Sequence, residues 1–198
     1  MQCITQLPET SFHLHANNPV EKIFWGRLPV VNATAQYYFT KESLMQRLMH
    51  QLKYKGNKEL GKQLGRFMGL ALEQTNRFSD IEALIPLPLF PAKEKRRGYN
   101  QAAILCEGIS EIMNIQILND VVRRVQATES QTKKGRMERW ENIQGKFELV
   151  QPATIRDKHV LLVDDVITTG ATLEACGHEL LKAIHARVSI ATLCFASR

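Results

Sequence analysis

Asp164 and Asp165 stand side by side at the end of an apolar run, and shortly after them come Thr168, Thr169, Gly170, Ala171 and Thr172. Paired carboxylates repel an anion, yet the residues that follow suit one. A glycine lets the backbone turn tightly and approach a ligand closely. Threonine hydroxyls add donors, and a helix starting here presents free N–H groups at the positive end of its dipole. Such a loop can hold a phosphate. It is not a Walker loop, because G-x-x-x-x-G-K-[ST] occurs nowhere in the chain. The aspartates make sense if they bind what the phosphate is attached to. Ionised carboxylates accept hydrogen bonds from sugar hydroxyls. They also hold Mg2+, directly or through its waters. A phosphate on the loop with a ribose over the carboxylates is a phosphoribosyl group.

The elements that must position these residues are legible in outline. "KHVLLVD" reads as a buried strand leading into the motif, "TLEACGHELLKAI" as the helix after it and "RVSIATLCF" as a last strand. Upstream, "KESLMQRLMHQLKYKG" places Leu44, Leu48 and Leu52 on one helical face, and "KELGKQLGRFMGLALEQ" does the same with Leu60, Leu64, Phe67 and Ala71. "EALIPLPL" is a short strand, the basic "PAKEKRRG" a loop, and "NQAAILCEGISEIMN" a helix capped by Asn100. "VVRRV" and "KFELV" are strands on either side of a long polar, basic stretch, and long loops in compact domains are usually functional. Strands alternate with helices from about residue 81 onward, the pattern of a mostly parallel α/β sheet. In such sheets ligands bind beyond the carboxyl ends of the strands, where the motif falls. Residues 1–40 lack a clear period apart from a strand near "ATAQYYFT", and read as an N-terminal extension or hood on a domain spanning 41–198.

Composition sets limits. The 198 residues carry a formal charge of +6 and a pI near 9.2, which favours phosphorylated ligands or nucleic acid. Four cysteines without C-x-x-C spacing do not form a disulfide framework and point to a reducing compartment. With no secretory signal pattern and no apolar run of the ~18 residues a membrane helix needs, a cytoplasmic location without membrane insertion is expected. His13-x-His15 has no third ligand nearby and is expected at the surface. Trp25, Tyr37, Tyr38 and Phe39 could stack on bases, although core or lid packing is the commoner use of such aromatics.

"VLLVDDVITTGAT" resembles the signature of type I phosphoribosyltransferases. Three further segments resemble the ComF-type, competence-associated branch. They are "PLPLFPAKEKRRGYNQA", with Arg97, Gly98, Tyr99, Asn100 and Gln101, "SQTKKGRMERWENIQGKF", with Ser130, Gln131, Thr132, Arg139, Asn142, Gly145 and Phe147, and the short "LKYKG" at 52–56. The resemblance extends over nearly the whole chain from about residue 20. It implies the type I phosphoribosyltransferase fold, with helices on both faces of the sheet and a small N-terminal hood. It also implies 5-phosphoribosyl 1-pyrophosphate (PRPP) and Mg2+ as ligands.

On that pattern Asp164 and Asp165 contact the ribose and the metal, and Val166, Ile167, Thr168, Thr169, Gly170, Ala171 and Thr172 hold the 5′-phosphate. Lys93, Lys95, Arg96 and Arg97 form the pyrophosphate loop, and Arg139 joins the catalytic set from a mobile cover that also carries Lys133, Lys134 and Arg136. A solvated basic face remains the alternative for both basic runs. The acceptor is expected to be a nitrogen nucleophile. It is not expected to be a 6-oxopurine, because Thr168 stands where enzymes for those bases usually carry an aspartate. A non-catalytic PRPP or nucleotide sensor, or an accessory protein of DNA uptake, is the competing reading. Single-stranded DNA or a DNA-uptake helicase would then be the partner, and a homodimer stays open. Relatives usually begin with a four-cysteine zinc ribbon, of which only Cys3 has a counterpart here. Near the end, "IHAR" replaces a glycine common between the last helix and last strand, a change in helix capping.

Overall fold

A computed structural model describes residues 7–125 and 145–196. Five parallel strands form the main sheet: β1 (Ala33–Tyr38), β2 (Ala83–Pro86), β3 (Gln116–Ile117), β6 (His159–Ile167) and β7 (Arg187–Phe195), in the order β1-β7-β6-β2-β3. A separate antiparallel pair, β4 (Val122–Arg124) and β5 (Phe147–Leu149), brackets the long basic stretch. From β2 the chain moves outward to β3, then returns to the other side of β2 as β6. The crevice beyond the carboxyl ends of β2 and β6 is therefore a topological switch point.

The period of two along each central strand divides the core. Val160 and Leu162 of β6 face one layer, which contains α1 (Pro19–Phe24), α6 (Ala171–Leu180) and the β4–β5 pair. Leu161 and Val163 face the other, built from α2 (Leu44–Tyr54), α3 (Lys58–Glu73) and α5 (Gln101–Met113). Helices thus cover both faces, as the resemblance implies. β1 lies at the sheet edge beside β7, pairing Ala33 with Ile190 and Tyr37 with Cys194.

Several expectations need correction. The basic run after β2 is a helix, α4 (Pro91–Arg97), not a loop. Pro91 opens it, where a missing N–H costs nothing, and Gly98 closes it at φ 86°, a left-handed conformation that glycine adopts freely. In α2 the buried row is Met45, Met49 and Leu52, with Leu44 and Leu48 only partly buried beside it. In α3, Leu64, Met68, Ala71 and Leu72 are buried, and Leu60 and Phe67 flank them. His13 is buried, not superficial, and burial lowers its pKa. Before β7, His185 takes the left-handed turn at φ 55°, with its Nδ1 2.8 Å from the Asp157 carboxylate.

Candidate functional site

Asp164 and Asp165 lie half-buried near the carboxyl end of β6, at the switch point. Alternation along the strand sends their side chains to opposite faces. The Asp164 carboxylate accepts the backbone N–H of Asp165 at 2.8 Å. It acts electrostatically on Arg124 and on the Cys176 thiol of α6. Asp165 forms an ion pair with Lys53 of α2 at 3.0 Å. Burial pushes the Asp164 carboxyl up, to about 7. The adjacent Asp165 charge pushes the same way, against the Asp165 N–H and the charges of Lys53 and Lys93.

Val166 is half-buried, Ile167 is buried, and Thr168 and Thr169 are exposed. Gly170 stands at the N-cap of α6 at φ 73°, with Ala171 and Thr172 half-buried in the first turn. No side chain among the described residues caps this helix start. Its first-turn N–H groups therefore remain to meet an anion. The loop is braced from behind. Arg27 donates to the Thr169 carbonyl at 3.0 Å and pairs with the buried Glu174 of α6. A Cβ on Gly170 would lie 2.6 Å from Ile23 Cγ2 and 3.1 Å from the Phe24 ring. The glycine thus serves two local needs: the left-handed turn and the close seat of α1.

Cations surround the acidic pair. Desolvation holds the Lys93 ammonium below its ordinary pKa, followed by the repulsion of Arg97, Arg124 and Lys53, while Asp165 opposes the shift. Arg124 is buried on β4 with its guanidinium 5.4 Å from the Phe147 ring centre, and burial lowers its pKa against the pull of Asp164. Lys146 adds to this side, its pKa lowered by desolvation and then by Arg124. Arg97 stacks on the Tyr54 ring of α2 at 5.7 Å. Lys95 and Arg96 are exposed on α4, and the charges that act on Asp164 include those of Asp165, Lys53, Lys93 and Arg124. Arg139 lies outside the described residues, as do Lys133, Lys134 and Arg136.

Lys53 and Arg124 did not enter the sequence-derived site, although each has a sequence signal. Lys53 follows Met45 and Met49 at intervals of four, so it continues a buried row of α2 and points inward. Arg124 lies two residues from the buried Val122 and so shares its inward face of β4, while Arg123 points out. The R-G-Y-N-Q segment has a local mechanical reading. Gly98 ends α4, the buried Tyr99 phenol donates to the Leu52 carbonyl, and Asn100 caps α5 by accepting from the Ala102 N–H. The Asn100 amide also donates to the Leu87 carbonyl at 3.0 Å, which ties α5 to the end of β2.

A divalent cation can be tested against these residues. No group of three or more His, Cys, Asp or Glu side chains converges among the described residues. The acidic pair supplies at most two carboxylates. That fits Mg2+, which commonly takes one or two carboxylates and completes its shell with substrate phosphates and water.

Comparison with known proteins places the chain in a family. The model of the phosphoribosyl transferase domain matches residues 102–198. The DNA utilization protein YhgH of Escherichia coli O157:H7 is 31% identical over 192 residues, covering 95% of this chain and 81% of that protein. Competence protein F of Haemophilus influenzae is 35% identical over 139 residues, 68% of this chain and 61% of that protein. Among solved structures, an adenine phosphoribosyltransferase from Leishmania tarentolae aligns at TM-score 0.46 and 11% identity, over 84% of this chain and 93% of that one.

Proposed function

The chain belongs to the ComF-type phosphoribosyltransferase-like family, and from that premise we propose that it binds PRPP and transfers the phosphoribosyl group to a nitrogen nucleophile. One observation carries the reading. At the switch point a helix start without a side-chain cap adjoins two carboxylates, with Lys53, Lys93 and Arg124 acting on that pair. An anion alone would not call for the carboxylates, and a cation alone would not call for the helix start. A sugar carrying phosphates at both ends uses all of them.

In this reading the 168–172 turn takes the 5′-phosphate and Asp164 and Asp165 accept from the ribose hydroxyls. The cations spread the charge of the departing diphosphate. The C1–oxygen bond to diphosphate breaks, positive charge develops on the ring, and a nitrogen lone pair forms the new C1 bond. Mg2+, when bound, would neutralise diphosphate oxygens and be held through Asp164 and Asp165. The protein contributes positioning and fixed charge. Thr168 offers no carboxylate to a purine N7, which favours orotate, adenine or an amine over hypoxanthine and guanine as acceptor. A pyrophosphate-release screen over these acceptors tests the transfer, and turnover of hypoxanthine or guanine would contradict the acceptor assignment.

A second reading has its own observation. Tyr54 is 66% exposed, lies against His50 at 5.1 Å and carries Arg97 over its ring. An exposed aromatic with a guanidinium over its ring suits single-stranded nucleic acid. DNA handling without turnover is the alternative, and a steeply salt-dependent affinity for single-stranded DNA would support it.

A further inference from the structure

The last turn of α2 touches the site through three consecutive residues. The Leu52 carbonyl accepts from the Tyr99 phenol, Lys53 pairs with Asp165 at 3.0 Å, and the Tyr54 ring lies under Arg97. Leu52 is buried, and the Lys53 side chain is only 25% exposed. This helix lies outside the anion loop and outside the basic helix α4, and it is fastened to the end of α4 and to the strand that leads into the loop. Tyr99 and Arg97 border the α4 end, and Asp165 precedes the phosphate turn.

We infer that Lys53 is a diphosphate-binding residue of the site, kept on Asp165 until the ligand's own charge and hydroxyls replace that contact. The inference rests on the PRPP reading above. Its physical basis is an exchange of partners. In the free protein the Lys53 ammonium neutralises a half-buried carboxylate. When a ribose hydroxyl donates to Asp165, the carboxylate keeps a partner and the ammonium is released next to the point where the diphosphate leaves C1. Lys93 lies close enough to interact with both Lys53 and Asp165, so two ammonium groups then face one dense anion. A lysine is suited to the exchange, being a compact charge on a flexible stem. Tyr99 fixes the helix end, so the exchange needs the side chain to move and not the backbone.

The geometry also separates two ligands. Ribose 5-phosphate carries the 5′-phosphate and the hydroxyls but no diphosphate, and it gains nothing from the released ammonium. PRPP gains a charge-assisted contact.

The test is titration calorimetry of the full chain with PRPP and with ribose 5-phosphate, each in Mg2+ and in EDTA, for the wild type, Lys53→Met and Lys53→Arg. Lys53→Met is expected to weaken PRPP on the order of tenfold to a hundredfold. Ribose 5-phosphate should change less than threefold, and the PRPP loss should be larger in EDTA than in Mg2+. Lys53→Arg should recover most of the affinity. Equal losses for both ligands would mean a merely structural lysine and overturn the inference. Unchanged PRPP affinity in Lys53→Met would overturn it while leaving the PRPP reading intact. A wild-type chain that binds neither ligand would overturn both.

Discussion

The backbone N–H of Asp165 donates to the Asp164 carboxylate at 2.8 Å, while the Asp165 carboxylate itself takes Lys53 from α2. The neighbours in sequence therefore have different electrostatic settings. One is tied to a cation from a distant element; the other has its carboxyl pushed up to about 7, by burial first and by its neighbour's charge second.

That difference sets a pH dependence. The folded-state pKa of Asp164 is raised, to about 7, so the folded protein keeps a proton that the unfolded chain releases near pH 4. This group penalises the fold progressively as pH rises from about 4, where the unfolded carboxyl ionises, to about 7, where the folded one does, and the penalty is constant above that. Asp164→Asn should therefore raise the melting temperature by roughly 2–6 °C at pH 8 and by clearly less at pH 5. Melting curves at the two pH values check it; equal gains at both would remove the raised pKa.

Gly170→Ala should destabilise the chain by about 1–3 kcal/mol, because the new Cβ meets Ile23 and Phe24 at a left-handed backbone. Ile23→Ala in the same chain should recover part of the loss by opening space at the 2.6 Å contact. Failure of the second change to help would place the cost in the backbone conformation alone.

Arg27→Ala leaves the buried Glu174 without its guanidinium and the Thr169 carbonyl without a donor. A cost of about 1–3 kcal/mol is expected, less than for a fully buried pair because Arg27 is a third exposed. Adding Glu174→Gln should return part of it. Denaturant titration of the four members of this cycle measures the coupling, and strictly additive losses would mean that the pair does not brace the loop.

Tyr99→Phe removes the bond to Leu52 while keeping the ring under Lys58, whose ammonium lies 5.4 Å from its centre. Stability should fall by about 1–2 kcal/mol, since a buried carbonyl loses its donor. PRPP affinity should fall with it because the Lys53 turn loses its anchor. Paired melting and titration measurements would contradict this if stability dropped and affinity did not.

What the sequence reveals follows the strength of its local signals. β7 begins and ends where its apolar run does, and Asn100 caps α5 as its side chain suggests. The anion turn is legible because glycine and threonine act there through the backbone itself. The sequence of α4 reads as a loop because its charged residues bury no face, and a helix with no buried side chain has no hydrophobic period to read. The buried row of α2 lies one residue from the leucine row because methionines fill the core there and leucines flank it. That single step of about 100° hides Lys53 from a pattern search and aims it at Asp165. Arg124 is concealed in the same way, since three strand residues give little period.

The central claim is that one site at the carboxyl ends of β2 and β6 binds both ends of a phosphoribosyl diphosphate. The most direct measurement is titration calorimetry with PRPP for the wild type and for Asp164→Asn combined with Asp165→Asn, with melting curves to establish that both chains are folded. Losing two charge-assisted contacts should weaken binding on the order of tenfold to a thousandfold while the fold persists. A folded double variant that binds PRPP as tightly as the wild type, or a wild type that does not bind it, would contradict the account.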